Sequence, residues 1–361
     1  MKPRILAYYL PQYHPFPEND EWWGKGFTEW TNVARASKLF PGHVQPHIPA
    51  DLGFYDLRMP EIREEQAKLA REAGIEAFCY YEYWFGNGRQ LMQRPFEEVV
   101  SSGKPDFPFC LCWANHSWYK KLWDPKNPGK DRLLIEQQYL GEEEYRMHFM
   151  HLLTSFKDKR YLRVNGKPLY VIYDAVHFPD VSNFITTWRN LAQKNGLGDF
   201  FFVATDYNCD HRQELLTAGF DATHNVDYSN IYHLSNPFTK AFKTFCRLYL
   251  HIPMIYKYKD AMKYMLHEAC RERNVIPVIT PNWDHTPRSG AKGMVFTHAE
   301  PKYFKQLALE ALDMVKDKPE EEQLIFVKSW NEWGEGNYME PDLQYGHGYI
   351  NALREAIDEV I

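Results

Sequence analysis

Apolar runs of five to eight residues recur along this chain with polar stretches between them. Eight such runs carry β-rich composition. They are RILAYYL (4–10), IEAFCYY (75–81), FPFCLCWA (107–114), PLYVIYD (168–174), DFFFVATD (199–206), DATHNV (221–226), VIPVIT (275–280) and LIFVKSW (324–330). Most lack strict polar/apolar alternation, as expected of strands covered on both faces. Helical patterns fall between several of them. PEIREEQAKLAREAG opens with Pro60 and stops at Gly74, the proline-in, glycine-out asymmetry of a helix. VSNFITTWRNLAQKNG ends at Gly196. KYFKQLALEALDMVK places Phe304, Leu307, Ala308, Ala311, Leu312 and Val315 on one stripe at a 3.6-residue period. A last helix over about 346–360 closes the chain.

Strands alternating with helices predict an α/β chain, a (β/α)8 TIM barrel over residues 1–361 as a single catalytic domain. An open doubly wound sheet is the other arrangement. It calls for a glycine-rich turn after the first strand, and the turn here, PQYHPFPEND, has no glycine. Two stretches exceed simple connections and read as loop insertions, at about 11–59 and 227–260. No linker, low-complexity tract or internal repeat is visible.

Composition narrows the chemistry. A net charge of -6 gives no general reason to expect nucleic-acid binding. The aromatic fraction is 16%, with 11 Trp and 24 Tyr. Ring faces match the C–H face of a sugar, although an aromatic-rich core would produce the same count. The cysteines lie mostly in apolar runs without paired spacing, the pattern of reduced core thiols in a cytoplasmic protein. The N-terminal apolar stretch before Pro11 is too short for a signal-peptide core. No apolar run reaches the roughly 18 residues of a membrane span. Residues 228–259 contain no acid but carry Lys240, Lys243, Arg247, Lys257 and Lys259 among many aromatics. A peripheral contact with an anionic membrane is one reading of that segment. A helical arm packed over the barrel mouth, with a solvated basic face, is the other.

In a (β/α)8 barrel the active site lies at the C-terminal ends of the strands. Polar and aromatic groups gather after each apolar run. Tyr9, Gln12 and His14 follow the first, with Glu29, Trp30 and Asn32 further on. Tyr81, Glu82 and Trp84 follow the second, and Trp113, Asn115, His116 and Trp118 the third. Asn282, Trp283, Asp284, His285 and Arg288 follow the seventh. The eighth run leads into KSWNEWGEGNYMEPD, where Glu332 and Glu335 stand three apart in a loop bent by Gly334 and Gly336. Two carboxyl groups beside one glycosidic bond are the usual equipment for its cleavage. Loop acids that cap or pair with cations are the plainer alternative. Among the histidines, GHVQPH (His43, His47) comes nearest to a ligand spacing, but it lies in a proline-rich loop, and no metal site or other cofactor is expected. No P-loop or G-x-G-x-x-G occurs.

The motifs AYYLPQYHPFPEND, WGKGFTEWTNV, FCYYEYWF, CWAN, PNWDHTPR and SWNEWGEGNYMEP occur in that order. Together they resemble the WbsX family, labelled glycosyltransferases of polysaccharide gene clusters, over nearly the whole chain. The last motif is also similar to the N-E-W-x-E-G signature of glycoside hydrolase family 99, the endo-α-mannosidases and endo-mannanases. The resemblance implies retaining chemistry on α-linked glycosides without a covalent enzyme adduct. Glu332 would act as base on the sugar 2-hydroxyl to give a 1,2-anhydro sugar. Glu335 would protonate the leaving group and then activate water or an acceptor. The candidate substrate site on this reading draws on Tyr9, Trp30, Tyr81, Trp84, Trp113, Asn115, His116, Trp283, Asp284, Asn331 and Trp333, with Trp30, Trp84, Trp113 and Trp283 as stacking platforms and Tyr9, Asn115, Asp284 and Asn331 as hydroxyl binders. Three positions depart from the family pattern: His116 replaces a glutamate, His285 an asparagine and Asp174 an arginine. These bear on which sugar is accepted. The alternatives to a cleaving enzyme are a glycosyltransferase of surface polysaccharide (O-antigen or lipopolysaccharide) biosynthesis and a non-catalytic glycan-binding barrel. In each case the partner is an oligosaccharide or polysaccharide.

Overall fold

The computed structural model describes residues 3–120, 132–206, 210–225, 231 and 236–360. Its centre is a ring of parallel strands: β1 (Arg4–Tyr9), β2 (Ala77–Trp84), β3 (Phe109–Trp113), β4 (Lys167–Ile172), β5 (Phe201–Thr205), β6 (Ala222–His224), β7 (Val275–Ile276), β8 (Val278–Ile279) and β9 (Leu324–Val327). Neighbours pair in chain order from β1 to β7, all in parallel. β8 pairs with β9, and β9 returns to β1 with Arg4 beside Leu324. β7 and β8 are two pieces of one stave, separated by Pro277. Proline has no N–H for the ladder. Its carbonyl still accepts from the Phe326 amide at 3.0 Å, so the barrel closes across the break. The expected eight-stave TIM barrel is therefore the architecture found. The predicted runs overshoot: β9 stops at Val327 and β6 at His224. The end of the sixth run (Val226) and part of the second insertion lie outside the described residues.

Helices cover the outside, and the sequence signals explain their ends. The helix Pro60–Ala73 begins with proline at its first turn and ends at Gly74, left-handed at φ 87°. Pro301–Val315 buries all six residues of its expected stripe. Each of its large apolar side chains contributes up to about 1.5–3 kcal/mol by leaving water. Gly348–Asp358 is the closing helix.

Inside the barrel, alternation decides which rings point inward. Tyr8 stacks on Tyr81 and on Phe326, both at 5.2 Å. Its hydroxyl meets His224 Nε2 at 2.5 Å. This aromatic layer is the floor on which the mouth is built. Its neighbour Tyr9 points the other way and donates to Gln66 on the helix Pro60–Ala73 at 2.7 Å.

Candidate active site

A cavity of about 660 Å³ opens above that floor at the C-terminal ends of the strands. The volume falls within the roughly 300–1,000 Å³ of small-molecule sites. Glu332 and Glu335 both line it. They enter on a short turn after β9. The ladder of Asn331–Glu332 with Asn337–Tyr338 closes that turn. Asn331 ties it to the end of β1, accepting from the Leu10 amide at 2.7 Å and donating to the Leu10 carbonyl at 3.1 Å. The Tyr13 hydroxyl, from the long first insertion, donates to the Asn331 carbonyl at 2.6 Å and accepts from the Trp333 amide at 2.9 Å.

Two glycines make the packing possible. A side chain at Gly334 would collide with Glu29 Oε2 and lie 3.0 Å from Arg288 Nε. Gly336 is left-handed (φ 55°), and a Cβ there would stand 2.7 Å from Asp284 Cβ. The Asp284 amide donates to the Glu335 carbonyl at 2.7 Å, so the loop after β8 and the loop after β9 are stitched together.

Arg288 is the centre of the electrostatics. Its Nη1 donates to Glu332 Oε1 at 3.0 Å and to Glu335 Oε1 at 2.5 Å, while Nε donates to Glu29 Oε2 at 3.0 Å. His285 Nε2 lies 3.4 Å from Glu335 Oε1. The two loop acids share one guanidinium inside the cleft and cannot both carry full charge there cheaply. Burial, and then the neighbouring Glu335 carboxylate, push Glu332 up to about 7. Burial also presses Glu335 upward, but Arg288 and His285 outweigh it and hold that carboxyl well below the usual range. These opposed shifts favour Glu332 over Glu335 as the carboxyl group that keeps a proton.

The expected site residues divide into two groups. Tyr81 and His116 line the cavity with the glutamates. Burial, followed by Glu332, pushes the Tyr81 phenol well up, so it stays a neutral donor. Burial lowers His116, whose Nδ1 has no hydrogen-bond partner in the structure. The other nine do not line this cavity, for identifiable reasons. Tyr9 and Trp84 occupy outward positions of β1 and β2. Trp84 stacks on His148 at 4.7 Å and donates to Glu144 at 2.7 Å. Glu82, another outward position, accepts from Tyr170 at 2.5 Å and meets His148 at 2.7 Å. Trp113 donates to the Trp84 carbonyl at 2.9 Å. Asn115 clasps Asp174, donating to its carbonyl at 2.9 Å and accepting from its amide at 2.7 Å. Trp30 packs between Tyr13, Tyr55 and Trp333 and donates to the Tyr55 carbonyl at 2.7 Å. Trp333 stacks on Tyr338 at 3.7 Å. Trp283 stacks on His285, with Lys328 Nζ 5.2 Å from its ring. Asp284 accepts from Gln45 and Thr286 and meets His43 Nε2 at 2.7 Å. Burial opposes its charge, but those partners keep its carboxyl below the ordinary range. Asn331, Asp284, Asn115 and Trp333 thus position the loops.

The cavity instead takes its rings from Tyr83, Trp118, Tyr173 and Trp23, and its cation from Lys328 beside Arg288. Tyr83 and Lys328 carried a usable signal: they continue the inward alternation of Tyr81 on β2 and Phe326 on β9. Trp118 opens the three-residue strand Trp118–Lys120 and Trp23 ends the seven-residue helix Pro17–Trp23, elements inside the connections between staves and too short for their period to be read from the sequence. His43 and His47 both face protein groups, Asp284 and Tyr338. Among the described residues no group of three or more His, Cys, Asp or Glu side chains could hold a metal ion.

Comparison with known proteins places these features. The chain is 36% identical over 358 residues to the uncharacterized protein WxcX of Xanthomonas campestris pv. campestris, in strains B100 and ATCC 33913 alike. The match covers 98% of this chain and 49% of each relative, so the chain spans about half the length of the curated relatives it matches. Among solved structures, the GH99 endo-alpha-mannosidase of Bacteroides thetaiotaomicron aligns with a TM-score of 0.59 at 15% identity, over 99% of this chain and 97% of that one. A glycoside hydrolase-like protein aligns at 0.58 and 14% identity, over 99% and 94%. At such identities the likeness concerns the barrel fold. The model of the Glycosyltransferase WbsX family matches residues 5–353, and the chain belongs to that family.

Proposed function

We propose that this barrel cleaves or transfers α-linked glycosides with retention of configuration, using Glu332 and Glu335 as its acid–base pair. One observation carries the reading: both carboxyl groups reach the same guanidinium nitrogen within the cavity. The oxygens facing that nitrogen lie 3.0 and 2.5 Å from it and can be no farther apart than about 5.5 Å, close enough for both to reach one bound sugar. In the reaction, one carboxylate takes the proton of the sugar 2-hydroxyl. O2 attacks C1 from the face opposite the leaving oxygen, the C1–O bond breaks, and the other carboxyl group gives that oxygen its proton. Water or a sugar hydroxyl, deprotonated by the same group, then opens the 1,2-anhydro sugar at C1; the C1–O2 bond breaks and the first carboxyl group returns its proton to O2. Neutral tyrosines 81 and 83 donate to hydroxyls, and Trp118 offers a ring face. The five described cysteines, all buried and unpaired, fit a cytoplasmic setting.

Two allocations of the roles are open, and each has its own support. Family resemblance makes Glu332 the base and Glu335 the acid. The electrostatics, which raise Glu332 and lower Glu335, favour the exchange of roles. The first allocation requires the entering sugar to draw Arg288 away from Glu335. The pair titrates as a unit, so a pH profile alone cannot assign the proton. Leaving-group dependence can. Replacing the acid by glutamine should lower kcat/KM on ordinary α-glycosides by about 10²–10⁴-fold yet spare substrates with activated leaving groups. Replacing the base should slow both alike. If neither Glu332→Gln nor Glu335→Gln changes turnover of any α-glycoside that the wild type processes, the reading fails.

A further inference from the structure

The insertion after β6 carries a helix that is turned inside out. Pro237–Tyr249 is well started, with proline in its first turn and the Asn236 side chain accepting from the Thr239 amide at 2.8 Å. Phe238, Phe242, Phe245 and Tyr249 recur at helical spacing, with Leu248 beside them. An amphipathic helix of a folded body presents such a stripe to the core. Here the stripe faces out: Phe238 is 88% exposed, Tyr249 70% and Phe242 66%. The polar side faces in. Lys240, Lys243 and Arg247 are half-buried on the opposite side, and Lys243 Nζ donates to the Ile255 carbonyl at 2.9 Å. The expected solvated basic face is thus absent from this helix; what it shows to solvent is aromatic.

We propose that this stripe is a docking surface for an anionic lipid bilayer, the helix lying flat among the headgroups. Two observations select that partner. Phenylalanine and leucine on one face with lysine and arginine on the other is the make-up of an interfacial helix. The segment from Tyr228 to Lys259 also has no acid at all, within a chain of net charge -6. Lys257 and Lys259, just after the helix, are exposed. They supply the attraction that negative headgroups add to apolar insertion. Association is at the surface, since no described helix is long and apolar enough to cross a membrane. The insertion springs from the C-terminal end of β6, the end of the barrel that holds the cavity. Docking would therefore bring that end of the barrel to saccharides held at a bilayer, but the proposal stands without any assignment of the chemistry.

Flotation with vesicles tests it. The protein should float with vesicles containing phosphatidylglycerol, bind pure phosphatidylcholine vesicles at least about tenfold more weakly, and be released by high salt. Phe238→Ser/Phe242→Ser/Tyr249→Ser should reduce capture by more than about tenfold with an unchanged Tm, because these side chains touch solvent. Lys257→Glu/Lys259→Glu should weaken capture by the anionic vesicles selectively. Absence of flotation with anionic vesicles overturns the proposal, as does flotation that survives the triple substitution. So does a wild-type dimer in sedimentation that the triple variant breaks while vesicles capture neither protein, because the stripe then belongs to a second copy.

Discussion

The two ends of the stretch from Lys328 to Asp342 bury glutamates in different company. Glu340 is enclosed by neutral donors: Trp333 Nε1 at 2.6 Å, Gln66 Nε2 at 2.6 Å and the Tyr55 hydroxyl at 2.9 Å. Glu332 shares the Arg288 guanidinium with a second acid and faces a cavity. Burial pushes both carboxyl groups up to about 7. A raised pKa therefore does not by itself mark chemistry. What separates them is access: no sugar can reach Glu340, whose oxygens are saturated by side chains that knit the first insertion and the helix Pro60–Ala73 to the turn after β9. Glu332 has a cavity in front of it and a partner that can be displaced.

Substitutions should pull the two ends apart. The largest effect is expected at the cavity end, where glutamine at the acid position removes about 10²–10⁴-fold of activity with little change in Tm. Gly334→Ala comes next. The added methyl collides with the Glu29 carboxylate and crowds Arg288, so Glu29 must shift, and the guanidinium that donates to it shifts with it. A misplacement of about 1 Å costs on the order of 10²-fold in rate. Steady-state kinetics should show the loss in kcat, with urea unfolding nearly unchanged. Glu340→Ala should behave oppositely. It strands buried donors of Trp333, Gln66 and Tyr55 at about 1–3 kcal/mol for each that finds no water. The urea midpoint should fall clearly, while the protein that remains folded keeps its activity. Normal stability of Glu340→Ala with lost turnover would show that the comparison is wrong.

Much of this was legible in the sequence, and the limits follow from periodicity. The barrel could be read because fully buried parallel strands produce apolar runs, and Pro60, Gly74 and the 304–315 stripe fix helices locally. Glu332 and Glu335 were legible from their company of glycines and rings. Trp30, Trp84 and Trp113 misled because a tryptophan near a strand end looks the same whether it faces the mouth or the surrounding helices. The alternation of β2 would have separated Trp84 from Tyr83. Arg288 stood in view after the seventh run, yet nothing in PNWDHTPR says that its guanidinium reaches back to three acids 44 or more residues away in sequence. That contact depends on Gly334, and only the fold brings the two together.

The pH dependence of stability is the most diagnostic of the structural end. Glu340 titrates at about 7 in the folded protein and near 4.5 when exposed. Below pH 4.5 both states hold the proton and the group is neutral to stability. Between 4.5 and 7 the unfolded chain ionises first, so the folded state binds the extra proton and stability falls as pH rises. The slope is about 1.4 kcal/mol per pH unit. Above 7 both states are ionised and the loss levels off at about 3 kcal/mol. Glu340→Gln keeps an acceptor for the Trp333 indole and has no proton to lose. Its urea-derived stability, measured against wild type from pH 4.5 to 8, should lack this component, so the difference between the two proteins should drift in favour of the variant as pH rises. Glu332 contributes a parallel slope of its own, and the comparison is cleanest in the Glu332→Gln background, where the remaining drift belongs to Glu340. A difference that stays flat across that window would mean that Glu340 is ionised throughout, with its three donors compensating in full for burial, and the contrast between the two ends would then rest on access to the cavity alone.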